Sequence, residues 1–123
     1  MYIEDDIMKY MSVVRFLKQL GIDKIDSADT AQKGVEMIEK AHVSGEDYDL
    51  LILDMHFNFY GRDDIEAGEK TMQLLRDKGI DTPVIFCSSQ NWKIPGAVGN
   101  IFYNERRDWE SEARELFQKI SRL

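Results

Sequence analysis

The sequence predicts an α/β domain built on a parallel β-sheet of five strands. Short apolar segments alternate along the chain with longer stretches whose apolar residues recur every three or four positions, as expected of repeated strand–helix units. One segment, Tyr48–Leu53, is rich in apolar residues without strict alternation, which is typical of a strand buried on both faces. The 123 residues fit one domain and no Pro/Gly/Ser-rich linker divides them, so we expect a single domain over residues 1–123.

Each strand is short and ends at a polar residue or a turn. The five expected strands are Met1–Glu4, Lys24–Ala28, Tyr48–Leu53, Pro83–Cys87 and Gly99–Tyr103. The first helix follows the first strand and has a glycine, Gly21, where a helix C-terminus favours one. Its expected buried face is formed by Ile7, Met11, Val14, Leu17 and Leu20.

Three further segments are expected to be helical. Asp29 or Thr30 can cap a second helix that runs to about His42, and a third runs from near Ile65 to Gly79. A last amphipathic helix includes Trp109 and Ile120. Proline and glycine residues between the fourth and fifth strands leave room for one helical turn at most, so the fourth helix is expected to be reduced or absent. This order predicts a doubly wound, flavodoxin-like sheet with strand order 2-1-3-4-5.

Charge and apolar content exclude several function classes. The net charge of −7 argues against a non-specific nucleic-acid binder and against docking on anionic membranes. The longest apolar run, Leu50–Leu53, is far shorter than the roughly 20 residues of a transmembrane helix. No charged-then-apolar leader is evident, and the single cysteine, Cys87, allows no internal disulfide. A cytoplasmic location is therefore expected.

Acidic and hydroxyl side chains follow the strands where ligands usually bind such a sheet. Asp5 and Asp6 follow the first strand, Asp54 ends the third, and Ser88 follows the fourth. Because strands one and three are neighbours in the predicted order, the three aspartates are expected in one pocket. Their mutual repulsion favours a bound cation, and Mg²⁺ prefers such oxygen ligands. A carboxylate beside Mg²⁺ can also attack a phosphoryl group.

With these residues, the chain resembles the receiver domain of two-component response regulators over nearly its whole length. The segments that carry the resemblance are Glu4–Asp6, Leu50–Met55 and Pro83–Ser89. The resemblance implies that Asp54 accepts a phosphoryl group and that Ser88 is the switch hydroxyl. It also implies a Mg²⁺ site formed by Asp5, Asp6, Asp54 and the main-chain carbonyl of His56.

The end of the fifth strand departs from that family. The family has a lysine there, whereas Tyr103 or Asn104 occupies the position in this chain, and Asn100 stands at the family's aromatic switch position. Three cations in loops are candidate substitutes for the lysine: Lys93, Arg106 and Arg107. The aromatic segment 57–60 is interpreted as a lid that folds back over the sheet edge, with a partner-docking patch as the alternative.

The leading hypothesis is a stand-alone, atypical response-regulator receiver rather than an enzyme. It would accept a phosphoryl group at Asp54 with Mg²⁺ from a histidine kinase or other phosphodonor protein, and would signal by binding a downstream protein. The second hypothesis is a pseudo-receiver that acts as an interaction module without phosphorylation. A remote third is a small Mg²⁺-dependent phosphohydrolase, with Asp54 as nucleophile and His56 as acid/base.

Overall fold

The computed structural model describes residues 1–120 as an α/β domain. The strands are β1 (Tyr2–Ile3), β2 (Ser27–Ala28), β3 (Leu51–Leu53), β4 (Phe57–Phe59), β5 (Arg62–Asp64), β6 (Val84–Ser88) and β7 (Gly99–Phe102). The helices are α1 (Ile7–Gln19), α2 (Ala31–Val43), α3 (Ala67–Asp77) and α4 (Trp109–Ile120). No helix within residues 1–120 has the length and apolar character needed to cross a membrane.

Five parallel strands form the main sheet in the order β2-β1-β3-β6-β7. This confirms the predicted order 2-1-3-4-5, although the hydrogen-bonded segments of the first three strands are shorter than expected. Ile3 pairs with Leu53, and Leu53 pairs with Phe86, so the carboxyl ends of three strands lie side by side. Residues 89–98 between β6 and β7 form turns rather than a helix, as predicted.

Alternate residues of each strand supply two separate apolar cores, one on each face of the sheet. Ile3, Leu53 and Phe86 point to the face that helices α2 and α3 cover. Tyr2 and Ile85 point to the opposite face, against helices α1 and α4. Because both faces are covered, the central strands contain few polar residues before their carboxyl ends.

Helix α1 buries only part of the face that the sequence predicted: Leu17 is buried, and Val14 and Leu20 are partly buried against the same core. Ile7 is 72% exposed and Met11 is 57% exposed, so the prediction that they face the core is wrong. The buried residues of the helix are Lys9, Val13, Phe16 and Leu17. At its N-terminal end the helix buries Lys9 rather than Ile7 or Met11, and this lysine has charged and polar partners at the edge of the sheet.

The segment after β3 forms a two-stranded hairpin, β4–β5, which the sequence did not predict. Tyr60 and Gly61 both have positive φ, 51° and 96°, as a two-residue type I′ turn requires. Phe57 is fully buried in the core that α2 and α3 cover, whereas Tyr60 at the turn is 47% exposed. The aromatic segment therefore folds back onto the domain, with only its tip in solvent.

Candidate functional site

A pocket of about 680 Å³ opens at the carboxyl ends of β1, β3 and β6. Most of the predicted site residues line it: Asp5, Asp6, Asp54, His56, Ser88 and Tyr103. Asn100 and Asn104 do not belong to its lining. The sheet thus brings the three predicted aspartates to one pocket, at the position where ligands bind open parallel sheets.

The ammonium of Lys9 is the central cation of this pocket. Its Nζ donates to Oδ1 of Asp54 at 2.8 Å and to the main-chain carbonyl of Cys87 at 2.7 Å. It also lies 2.8 Å from Oε1 of Glu4. These three contacts match the three protons of an ammonium group. Lys9 is only 8% exposed, so its charge is held almost entirely by protein partners.

Helix geometry explains how Lys9 reaches the sheet edge. Asp6 caps α1, because its Oδ1 accepts from the main-chain N–H groups of Met8 and Lys9 at 3.0 and 3.1 Å. Helical side chains tilt toward the N-terminus, and the N-terminus of α1 lies next to the ends of β1 and β3. The cap therefore fixes the start of the helix, and the tilt directs the Lys9 stem into the pocket.

Two carboxylates share this single ammonium. Burial raises the pKa of Glu4 to about 7, although the nearby Lys9 ammonium acts in the opposite direction. Burial also acts to lower the pKa of Lys9, but Cys87, Glu4 and Asp54 outweigh it and leave the pKa above that of an ordinary lysine. Burial, followed by the charge of Asp54, raises the pKa of Asp5. Lys9 is therefore charged at neutral pH, and the pocket retains an excess of acidic groups.

The acidic groups that converge most closely are Glu4, Asp5 and Asp54. One oxygen of each lies within 4.8 Å of the others. Oε1 of Glu4 already accepts from the hydroxyl of Tyr2 at 2.8 Å in addition to its contact with Lys9. Asp5 is exposed, and Asp54 lies at the base of the same pocket. The oxygen donors suit a hard divalent cation such as Mg²⁺, with Asp5 and Asp54 the better placed ligands.

Two residues predicted as metal ligands, Asp6 and His56, are placed differently from Asp5 and Asp54. Asp6 lines the pocket, but its carboxylate is occupied as the N-cap of α1. His56 lies at the pocket wall with an exposed side chain. The inclusion of Asp6 and of the His56 carbonyl in a metal site stays a prediction.

Ser88 lies at the end of β6 and lines the same pocket. Its Oγ accepts a hydrogen bond from the indole Nε1 of Trp92 at 3.1 Å and another from the main-chain N–H of Gln90 at 3.2 Å. The serine predicted as the switch residue is therefore fixed by the turn that follows its strand.

The lysine position of the fifth strand has a different chemistry. Tyr103 is buried and lines the pocket, and its ring centroid is 5.1 Å from that of Trp109. Asn104 lies in the following turn, where its Oδ1 accepts from the main-chain N–H of Arg106 at 2.9 Å. None of the loop cations considered above lines the pocket; Arg107 instead lies over the Phe102 ring, 4.3 Å from its centroid.

Asn100 stands on β7, outside the pocket. Its Nδ2 donates to the main-chain carbonyl of Gln90 at 3.3 Å, and its buried Oδ1 has no hydrogen-bond partner within residues 1–120. Its assignment as a switch residue stays a prediction. The contact with Gln90 links β7 to the same turn that holds Ser88.

Sequence reasoning missed Lys9 and quoted Glu4 only as part of the acidic run. Lys9 precedes Val13 by four positions and Phe16 by seven, which is the spacing of one helix face. The sequence therefore contained a signal for Lys9: it is a charged residue close to an acidic run, on the same helix face as two apolar residues that are buried. It was overlooked because the periodicity also fitted the face that contains Met11.

Gly68 brings helix α3 against the back of the pocket. A Cβ atom at this position would lie 2.2 Å from the main-chain oxygen of Asp54 and 3.0 Å from the Phe86 ring. The main-chain N–H of Gly68 also donates to the carbonyl of Met55 at 3.1 Å. Only glycine permits this approach, so Gly68 fixes the backbone on which Asp54 stands.

No protein-family model matches the chain, and no curated protein matches it. The receiver domain of the histidine kinase CKI1 from Arabidopsis thaliana, complexed with Mg²⁺ and BeF₃⁻, is a similar solved structure with a TM-score of 0.55 and 17% identity. The match covers 95% of this chain and 72% of that one. The chain has a receiver-like fold.

A second solved structure is a fusion that carries a trimeric coiled-coil segment of yeast Spc42. It matches with a TM-score of 0.59 and 19% identity, over 96% of this chain and 72% of the fusion. At these identities the two likenesses show the fold alone. The receiver-like fold agrees with the resemblance that the sequence suggested.

Proposed function

We propose that the chain is an atypical response-regulator receiver, which accepts a phosphoryl group at Asp54 with Mg²⁺ and signals by binding another protein. The observation that carries this proposal is the contact of 2.8 Å between Lys9 Nζ and Asp54 Oδ1 inside an acidic pocket. The absence of a lysine from the fifth strand was the main argument against phosphorylation. Lys9 supplies a buried cation at the acceptor carboxylate from another element.

The proposed transfer uses the two oxygens of Asp54 differently. Lys9 binds Oδ1, and Oδ2 forms the bond to phosphorus while the bond from phosphorus to the donor group breaks, which is a P–N bond in a phosphohistidine and a P–O bond in acetyl phosphate. The electron pair of that bond leaves with the donor group, which is acetate when acetyl phosphate is the donor. Lys9 and the Ser88 hydroxyl then stabilise the transferred group. Asp5 and Asp54 would hold Mg²⁺, which would supply further neutralisation of the phosphoryl oxygens.

The partners follow from the same proposal. The similar structure from Arabidopsis is the receiver domain of a histidine kinase, which supports a histidine kinase or other phosphodonor protein as the source of the phosphoryl group. A downstream protein would then recognise the phosphorylated form. The cytoplasmic location inferred from composition stays a prediction.

Intact mass spectrometry tests the proposal. After incubation with Mg²⁺ and acetyl phosphate, the protein should gain the mass of one phosphoryl group. Asp54→Asn and an EDTA-treated sample should gain none, and Lys9→Met should gain much less than Lys18→Met, an exposed lysine on the same helix. A folded parent protein without any adduct would contradict the proposal, as would an adduct that persists in Asp54→Asn.

A phosphorylation-independent pseudo-receiver is the second candidate function. It is favoured by Tyr103, one of the two residues at the lysine position, which packs on Trp109. The missing helix between β6 and β7 alters the same side of the domain. A folded protein that binds its partner equally well as parent and as Asp54→Asn would support this candidate.

Multiple turnover of a phosphoester would instead favour the phosphohydrolase, with exposed His56 as its acid/base.

A further inference from the structure

We infer that Trp92 is a positioning residue, which orients the Ser88 hydroxyl as a hydrogen-bond donor toward a phosphoryl group on Asp54. The inference rests on the proposed function and adds a residue that the resemblance to receiver domains did not identify. It concerns the turn after β6, where the chain departs from the family's helix.

The argument begins with the hydrogen-bonding capacity of a serine hydroxyl, which has one donor proton and two acceptor lone pairs. Trp92 Nε1 and the main-chain N–H of Gln90 both donate to Oγ of Ser88, at 3.1 and 3.2 Å. These two donors fill both acceptor sites. The proton of the hydroxyl is therefore the group that remains for a partner in the pocket, and such a partner must be an acceptor.

The pocket would present such an acceptor once Asp54 is phosphorylated. Ser88 and Asp54 line the same cavity, and Leu53, the residue before Asp54, is paired with Phe86 in the sheet. Phosphoryl oxygens are anionic acceptors, and hydrogen bonds to charged groups are stronger than neutral ones. A serine whose lone pairs are already occupied is oriented for this contact before the phosphoryl group arrives.

Packing holds the indole of Trp92 in place. The ring is partly buried against the core that α2 and α3 cover, together with Ile94 and Ala97 of the same turn. The main-chain N–H of Trp92 donates to the carbonyl of Gln90 at 3.1 Å, in the segment that follows Ser88. The indole is thus packed against the core while it donates to the serine, rather than exposed to solvent.

Phosphorylation should strengthen the bond between Trp92 and Ser88. A hydroxyl that donates to an anion becomes a better acceptor, because hydrogen bonds in a chain polarise one another. The indole proton of Trp92 should therefore move downfield in an NMR spectrum when Asp54 is phosphorylated. The indole signal of Trp109, which lies on α4 in the opposite core, is recorded for comparison.

The NMR measurement uses the unaltered protein with Mg²⁺ and acetyl phosphate, and intact mass is recorded on the same sample. A downfield shift of the Trp92 indole signal that accompanies the adduct supports the inference. An adduct without that shift overturns the inference and leaves the proposed function standing. A folded protein that forms no adduct overturns the proposed function, and this inference with it.

A double-mutant cycle separates positioning from packing. Trp92→Phe keeps a six-membered aromatic ring but removes the indole N–H together with the five-membered ring, whereas Ser88→Ala removes the hydroxyl. Each should slow adduct formation about five-fold, the value of roughly one hydrogen bond, and the double variant should be no slower than Ser88→Ala alone. Ser88→Thr, which keeps a hydroxyl, should stay near the parent rate. Rates that multiply in the double variant would overturn the inference, since Trp92 would then act by packing alone.

Discussion

The ammonium of Lys9 lies 2.8 Å from Oδ1 of Asp54, across 45 positions of sequence. The contact joins the first turn of α1 to the end of β3, and the same ammonium lies 2.8 Å from Oε1 of Glu4. Lys9 thus places a buried cation beside the proposed acceptor. It does so from helix α1, where the resemblance to receiver domains predicts no cation. The neutralisation of the pocket therefore depends on α1 rather than on the fifth strand.

Removal of that ammonium should destabilise the folded protein. Lys9→Met retains the apolar stem but leaves Glu4 and Asp54 as buried acids without their cation, and breaking a buried pair in this way costs about 3 kcal/mol or more. Chemical denaturation in EDTA measures the difference in unfolding free energy. Mg²⁺ should restore more stability to Lys9→Met than it adds to the parent, because a bound cation offsets the missing charge.

The matched control for this variant is Lys18→Met, which changes an exposed lysine of the same helix. Surface substitutions of this kind alter stability by about 0.5 kcal/mol or less. Equal effects of the two variants would contradict a central role for the Lys9 ammonium.

The pH dependence of stability should contain a component from Glu4. Burial raises its pKa from 4.5 to about 7, so the folded protein retains a proton over an interval in which the unfolded chain has released it. The contribution of Glu4 to the unfolding free energy is therefore largest below pH 4.5 and declines as the pH rises through about 7. Glu4→Gln cannot titrate and should lack this decline.

Denaturation curves are recorded in EDTA between about pH 4.5 and about pH 7.5, the interval in which the raised pKa of Glu4 acts. The effect is the difference in unfolding free energy between the parent and Glu4→Gln, because the other titrating groups contribute to both curves. Glu46→Gln removes an exposed carboxylate and is the control, which should follow the parent curve. If Glu4→Gln also follows the parent curve, the titration of Glu4 does not contribute as proposed.

The sheet could be predicted from the sequence because short apolar segments, which alternate with helical segments along the chain, mark the buried strands. Tyr48–Leu53 contains the observed strand β3, and its neighbours follow from the order of strands and helices. The convergence of Asp5 and Asp54 follows from that same topology. Lys9 was missed because periodicity analysis assigns charged residues to the exposed face of a helix. A lysine is stable inside the protein here only because its carboxylate partners compensate its charge.

The hairpin β4–β5 was missed for a related reason. Its strands are three residues each, and the turn uses a tyrosine at positive φ, which turn preferences do not predict. Met55, Phe57 and Phe59 alternate with His56 and Asn58, but this period of two covers only five residues, which is too short to distinguish a strand from a loop. Tertiary packing on α2 and α3, rather than local preference, determines this segment.

Gly68→Ala should disturb the backbone that supports Asp54. The new methyl group would lie 2.2 Å from the main-chain oxygen of Asp54, so either α3 or the loop after β3 must move. Overpacking of this kind costs about 1–3 kcal/mol, and the displaced Asp54 should also form the phosphoryl adduct more slowly. Gln73→Ala, an exposed change on the same helix, is the control. An alanine variant with the stability and adduct rate of the parent would contradict the proposed role of Gly68.

Asp5 and Asp6 should respond differently to substitution, although they are adjacent in the sequence. The Asp6 carboxylate accepts from two main-chain N–H groups as the cap of α1, whereas Asp5 has an oxygen within 4.8 Å of those of Glu4 and Asp54. Asp6→Ala should therefore lower stability by about 1 kcal/mol, equally with and without Mg²⁺. Asp5→Asn should leave stability in EDTA nearly unchanged but lose most of the stabilisation that Mg²⁺ adds.

Thermal unfolding over a Mg²⁺ titration separates the two roles, because a ligand that binds only the folded state raises its stability in proportion to the logarithm of its concentration. The parent and Asp6→Ala should show this rise, and Asp5→Asn and Asp54→Asn should not. Loss of the rise in Asp6→Ala, with Asp5→Asn unaffected, would reverse the assignment and make the helix cap the metal ligand. The cap would then be released whenever the cation binds, so Mg²⁺ would loosen the start of α1 and with it the position of Lys9.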